Sequence, residues 1–336
     1  MSKVYFLGAG ATKAVAQDAP LNNEILEAAF SESGHHEISE EIEEIKTFLK
    51  IVFHDREDNI PRLGDILSFI DFSLREKTIS IKNYHYEDFI RIRNSLVRLI
   101  AIVLKNNLID LNSPATEDFV RNINENDSII STNYDIVIDN ALLSIKKNTN
   151  YGVKIRENIL PLEFSDDRIR AASLVGMPLN IGPIKLLKLH GSLNWLYCPK
   201  CDEVDITLGQ KGVAEYINKE YELLCFNKFC TSHYEPLIVT PTKFKAYENR
   251  LLNKIWGISQ ECISKADELV FIGYSLPEAD TEIRCLLLNG INMAEKKPKI
   301  TFVDRPERSN DVDSYKRLFG EVNYMPVGFI KYIEEM

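Results

Sequence analysis

Short apolar runs rich in strand formers recur along this chain, and stretches with helical spacing lie between them. Val4-Tyr5-Phe6-Leu7 has the character of a buried parallel strand entering the glycine-rich turn Gly8-Ala9-Gly10. Ser128–Ser131, Ile184–Leu189, Leu237–Val239, Glu268–Ile272 and Lys299–Val303 predict further strands. Between about Asn22 and Asn124 the spacing turns helical. Ile42, Ile45, Phe48 and Leu49 stand three and four apart with acids on the opposite face. Leu63, Ile66, Leu67 and Ile70 repeat the pattern, and Glu87–Leu104 predicts a long amphipathic helix. Asp135–Ile145, Arg250–Lys265 and Glu278–Asn289 complete the expected helices, while residues 147–182 read as an irregular surface excursion. Strands alternating with helices predict an α/β fold built on a Rossmann-like doubly wound parallel sheet. An inserted helical module is expected over 31–127 and a small zinc-ribbon module over 198–233. The Rossmann-like domain then takes 1–30, 128–197 and 234–336.

Composition narrows the function classes. A hydrophobic share of 45% over 336 residues supports a sizeable core, and the formal charge of −10 with no Lys/Arg cluster argues against nucleic acid as a direct ligand. No apolar run approaches the roughly 20 residues that span a bilayer. Met1-Ser2-Lys3 leads straight into the first strand, so the expectation is a cytoplasmic protein without a signal peptide or membrane partner. Four of the six cysteines fall within Cys198–Cys230. Cys198-x-x-Cys201 and Cys225-x4-Cys230 form a four-thiolate pattern suited to a closed, structural zinc site, with His233 as a substitute ligand. Cys262 and Cys285 read as buried structural thiols in helical surroundings.

The chemistry-bearing residues gather at strand ends. Gly8-Ala9-Gly10-Ala11-Thr12 is either a turn that brings backbone donors to a pyrophosphate or a tight strand-to-helix turn with no ligand. Ser131-Thr132-Asn133-Tyr134-Asp135 ends the second strand, and Asp135 also fits a helix cap. His190-Gly191 follows the third, with a histidine able to accept a proton and a glycine that leaves room beside it. Gly273-Tyr274-Ser275 follows the fourth and could meet a phosphate or ribose. Asp304 closes the last strand as a ribose ligand or a solvated turn residue. Asp280 and Arg284, four apart, suggest an ion pair within a helix.

In this order these motifs resemble the sirtuin (silent information regulator 2) family over most of the chain outside 31–127. The resemblance implies that NAD is the substrate and that Asn133 and His190 are catalytic, His190 as general base. It implies NAD contacts from Gly8, Ala9, Gly10, Thr12, Thr132, Asp135, Gly191, Gly273, Tyr274, Ser275 and Asp304, and a structural zinc on Cys198, Cys201, Cys225 and Cys230. Two segments depart from the family's deacylases. Lys13–Leu21 has nothing like the Gly-Ile-Pro-x-Phe-Arg loop that covers nicotinamide, and Pro236–Lys243 replaces the Phe-Gly-Glu-like segment that pairs with an acyl-lysine peptide. With Leu-His-Gly-Ser-x-Asn-Trp and Gly-Tyr-Ser-Leu-Pro-x-x-Asp, the chain resembles the bacterial sirtuin-like NAD hydrolases of anti-phage defence. The expected activity is cleavage of the nicotinamide–ribose bond, restrained by a homo-oligomer or a regulatory partner protein. The alternatives are a deacylase or ADP-ribosyltransferase, and a non-catalytic sensor of NAD or ADP-ribose.

Overall fold

The computed structural model describes residues 1–31, 38–54, 60–76, 81–108, 113–147, 149–153, 162–165, 168–171, 182–206, 224–225, 227, 229–239, 249–278 and 280–336. Its strands are β1 (Lys3–Leu7), β2 (Ser128–Ser131), β3 (Thr149–Asn150), β4 (Leu162–Ser165), β5 (Arg168–Ala171), β6 (Ile184–Lys188), β7 (Gly191–Cys198), β8 (Glu203–Ile206), β9 (Glu235–Ile238), β10 (Glu268–Ile272), β11 (Lys299–Val303) and β12 (Asn323–Met325). The helices are α1 (Ala9–Val15), α2 (Ile25–Phe30), α3 (Ser39–Val52), α4 (Leu63–Glu76), α5 (Tyr86–Asn107), α6 (Pro114–Asn122), α7 (Val137–Ser144), α8 (Arg250–Ser264), α9 (Thr281–Met293), α10 (Val312–Phe319) and α11 (Phe329–Glu334).

Seven strands form one sheet in the order β12-β11-β10-β1-β2-β6-β3, and every neighbouring pair is parallel. All residues of β2 and β10 are buried, which is why these strands appear in the sequence as continuous apolar runs rather than alternations. From β1 the chain builds outward through β2 and β6, then returns to the other side of β1 with β10, β11 and β12. The winding direction therefore reverses between β1 and β10, and ligands of such sheets bind at the carboxyl ends beside that reversal.

Two hydrophobic cores divide the molecule. The first fills the parallel sheet and its covering helices. The second belongs to α2–α5 and runs from Ala19 to Leu108, then takes in Tyr134, Ile136, Val137, Leu193 and Ile238 from the sheet domain. The second core thus joins α2–α5 to a few residues of the sheet domain. α6 is not part of the insert: its Phe119 packs edge-on against Tyr5 of β1 (ring centroids 5.3 Å) and against Phe329 of α11 (5.2 Å). It is the crossover helix that returns the chain from the insert to β2.

The expected strand at Leu237–Val239 does not join the parallel sheet. β9 pairs antiparallel with β7, and β8, β7 and β9 form a separate three-stranded sheet. This sheet begins at Gly191 and ends at Ile238, wider than the 198–233 expected. Within the stretch expected to be irregular, β3 adds an edge strand to the main sheet and β4 pairs with β5 as an antiparallel hairpin. Most of the rest of 147–182 lies outside the described residues. No helix among the described residues is long and apolar enough to cross a membrane.

Candidate active site at the sheet reversal

The turns after β1 and β10 lie against each other with no space between them. The Gly8 amide donates to the Ile272 carbonyl (3.0 Å) and the Gly10 amide to the Gly273 carbonyl (2.9 Å), so the ladder between β1 and β10 continues into both turns. A Cβ on Gly8 would sit 2.6 Å from the Gly273 oxygen, and one on Gly273, whose φ is +60°, would sit 2.2 Å from the Ala11 nitrogen. These glycines are required here by the approach of one backbone to another. The Gly10 amide, a natural anion donor from its place in the sequence, is engaged by Gly273.

The turn after β2 is held quite differently. Four of its carbonyls accept hydrogen bonds from the end of β6 and the start of β7. Leu189 N donates to Ser131 O (2.9 Å), Leu193 N to Tyr134 O (2.9 Å), His190 Nδ1 lies 3.1 Å from Thr132 O, and Lys188 Nζ donates to Asp135 O. Thr132 N in turn donates to Leu7 O of β1 (3.1 Å). The peptide run that carries Asn133 is thus clamped on its carbonyl side by residues 188–193.

Asn133 lies at the centre of this turn. Its Nδ2 donates to Gly8 O (3.0 Å) and to Thr12 Oγ1 (3.0 Å). Thr12 Oγ1 spends its own hydrogen on Asp135 Oδ2 (2.7 Å), and Asp135 Oδ1 accepts from Val137 N (3.0 Å). The Gly8 carbonyl can only accept, which fixes the orientation of the Asn133 amide. With both amide hydrogens committed, Asn133 has its Oδ1 acceptor left to offer, which suits a hydroxyl or a water. Burial raises the Asp135 carboxyl above the usual carboxylate range, while Lys188 and the Thr12 hydrogen bond oppose that shift. Asp135 is both a helix-start residue, as its bond to Val137 shows, and part of this relay.

His190 is buried, with its ring 6.2 Å from that of Tyr134. The Thr132 carbonyl accepts from Nδ1, so the proton belongs on Nδ1 and the lone pair on Nε2. The neighbouring Gly191 has a φ of +79°, and a Cβ there would fall 1.7 Å from the Leu237 carbonyl oxygen. The room expected for a ligand beside Gly191 is occupied by β9.

The remaining expected residues are dispersed. The Tyr274 ring packs at a tilt against Phe6 (centroids 4.9 Å) and its hydroxyl donates to Asp280 Oδ2 (2.7 Å), so its side chain belongs to the core while Ser275 beside it is exposed. Arg284 Nη2 donates to Leu276 O (2.6 Å), so Asp280 and Arg284 both staple the β10 turn. Ala9 opens α1. Asp304 follows β11, one strand beyond β10; burial raises its carboxyl, and Oδ1 accepts from Arg305 N (2.7 Å).

A second layer of polar residues was not anticipated. Lys188 Nζ pairs with Asp139 Oδ2 (3.0 Å), Tyr151 Oη donates to Asp139 Oδ1 (2.7 Å), and Ser192 Oγ donates to Asn194 Oδ1 (2.7 Å). The sequence signal was partial: Asp135 and Asp139 stand one helical turn apart, and Lys188 closes β6 directly after two leucines.

The four cysteines converge at the far end of β7. Cys198 Sγ lies 3.6 Å from Cys230 Sγ and Cys201 Sγ 3.8 Å from Cys225 Sγ, and all four sulfurs lie within 4.8 Å of one another. A zinc tetrahedron with bonds of about 2.3 Å sets its sulfurs about 3.8 Å apart, so the spacing fits that ion. Cys201 N donates to Cys198 Sγ (3.4 Å), the amide-to-thiolate bond of a metal knuckle. His233 is exposed and stands outside this cluster, and of the two other thiols expected to be buried Cys262 is buried but Cys285 is exposed on α9.

Comparison with known families places a SIR2-like domain at residues 127–320. No curated protein sequence matches the chain. Among solved structures, a mutant Sir2 homologue in complex with ADP-ribose is 12% identical with a TM-score of 0.47, over 99% of this chain and 89% of that one. A complex of Sir2 with p53 peptide and NAD+ is 14% identical with a TM-score of 0.38, over 99% of this chain and 90% of that one.

Proposed function

The chain belongs to the SIR2-like domain family, and on that premise we propose that it is an NAD glycohydrolase releasing nicotinamide and ADP-ribose. The observation that carries this reading is the Asn133–Thr12–Asp135 relay, which joins the β1 and β2 ends beside the sheet reversal, next to a histidine with its lone pair on Nε2. NAD lies across the carboxyl ends, with its pyrophosphate toward Gly8, Ala9, Gly10 and Thr12 and its adenosine side toward Gly273 and Ser275. Thr132 and Asp135 flank the nicotinamide ribose, and Asp304 takes a ribose hydroxyl.

The C1′–N bond breaks through an oxocarbenium-like state. Its electron pair goes to the ring nitrogen of nicotinamide, which leaves neutral and needs no acid. A water, oriented through Asn133 Oδ1, forms the new C1′–O bond. His190 Nε2 takes its proton, and the Nδ1–H bond to Thr132 steadies the imidazolium that results. Placement alone accounts for roughly 7–11 kcal/mol in well-oriented reactions.

Water is favoured over an acyl-lysine as acceptor by the segment at β9. Its strand begins Glu235-Pro236, where proline supplies no amide donor, β7 already pairs with it, and the Val239 carbonyl accepts from Tyr134 Oη (2.7 Å). Four zinc-spaced thiols serve the architecture and leave no open coordination position. In the cell such an enzyme depletes NAD, which fits an effector of anti-phage defence restrained by self-assembly or a partner protein. Incubation of the purified protein with NAD alone, followed by chromatography, should yield nicotinamide and ADP-ribose in equal amounts. Release that requires an added acyl-lysine peptide would replace hydrolysis with deacylation.

A further inference from the structure

We propose that Lys188 is a positioning residue for this site, holding the Asn133 turn in register through its paired contacts with the Asp135 carbonyl and the Asp139 carboxylate. The proposal rests on the NAD-cleaving reading above. Lys188 is 1% exposed and closes β6, two residues before His190. Its ammonium spans the start of α7, donating to Asp135 O and to Asp139 Oδ2 (3.0 Å). Asp139 is itself buried and is steadied from its other oxygen by Tyr151 Oη (2.7 Å), whose hydroxyl also meets the Asn194 side chain.

Such a pair is a poor way to gain stability. Removing two charges from water offsets most of their attraction, and apolar residues of similar size commonly serve a core as well or better. What the pair supplies instead is direction. The Lys188 ammonium holds the carbonyl at one end of the turn, and the His190 ring holds the Thr132 carbonyl at the other. Asn133, which carries the acceptor for water, lies between these two grips. A histidine and a lysine two residues apart on one strand end thus fix both the base and the turn that faces it.

The test compares wild type with Lys188→Arg and with the charge-neutral pair Lys188→Met/Asp139→Asn. The pair avoids a lone buried carboxylate and keeps an acceptor for Tyr151. Initial rates of nicotinamide release over a range of NAD concentrations give kcat and KM, and calorimetric melting reports folding. Positioning demands that the double variant melt cooperatively, keep KM within about threefold and lose kcat by about a hundredfold, the scale of a 1 Å misplacement. Lys188→Arg, which keeps a donor to Asp135, should recover part of that loss. A double variant that melts lower yet turns over at the wild-type kcat would show a lysine that only supports the fold, and the proposal would fail while NAD cleavage stood. If the double variant fails to fold, Lys188→Arg decides alone: unchanged kcat and KM overturn positioning, and a lowered kcat at constant KM upholds it. Wild type that releases no nicotinamide would remove the functional reading and this inference together.

Discussion

At the carboxyl ends of β1 and β10 glycines bring two backbones into contact, while at those of β2 and β6 polar side chains are buried and linked in series. Gly8, Gly10 and Gly273 let two backbones touch, and a Cβ at any of them would meet an atom within 2.8 Å. Asn133, Asp135, His190, Lys188 and Asp139 fill the other side with donors and acceptors that engage one another, the Thr12 hydroxyl and the carbonyls of Gly8 and Thr132. Both regions end strands of one sheet, yet the first is specified by shape and the second by polarity. Substitutions should therefore fail in different ways on the two sides.

The largest effect is expected on the polar side. His190→Ala and Asn133→Ala should each slow nicotinamide release by about 10²–10⁴-fold, the usual contribution of a positioned proton acceptor. Both should still melt cooperatively, at a cost of about 1–3 kcal/mol for a buried group left without its partner. Wild-type turnover in purified His190→Ala would remove the base from this account. On the glycine side the loss should fall on stability. Gly273→Ala places a side chain at φ +60° against the Ala11 nitrogen. Strain and overpacking together should cost on the order of 2–4 kcal/mol in urea unfolding. A Gly273→Ala protein as stable as wild type would mean that the two turns separate freely.

The smallest effect joins both measurements. Burial raises the Asp135 carboxyl above its ordinary value of 3.8. The folded protein then holds that proton more tightly than the unfolded chain, so this group's contribution to stability falls as pH rises from the ordinary value through the raised one. Asp135→Asn has no such titration. Its stability relative to wild type should improve between acid and neutral pH, followed by thermal melts at matched ionic strength. A gap that is constant with pH would contradict the raised carboxyl.

The parallel strands were legible because burial on both faces leaves long apolar runs, and β1, β2, β6, β10 and β11 all lie where those runs stand. β7 was not. Its Ser192 and Asn194 are buried and bonded to each other, so the strand carries polar residues where an apolar signal would be sought. β3 and β12 are too short to show a period. The cysteine knuckles could be read from local spacing, whereas Asn133 and His190 could be placed only at strand ends, where the turn after β2 and the end of β6 hold them. The occupant of the space beside Gly191 could not, because Leu237 arrives from 46 positions further along the chain. Lys188 was hidden for a related reason: its partners, Asp135 and Asp139, come from a separate stretch, and a lysine at a strand end ordinarily points to water.

The second hydrophobic core does not stop at the helical module. It continues through Tyr134, Ile136, Val137, Leu193 and Ile238, of which Tyr134 adjoins Asn133 and Leu193 lies three residues beyond His190. Packing in α2–α5 and the geometry of the turn are therefore thermodynamically linked. Whatever molecule grips those helices and alters NAD affinity by some factor must itself be gripped, in the NAD-loaded protein, by that same factor. On the proposed reading, the pool of NAD would then act as a signal to the helices as much as a substrate for the sheet.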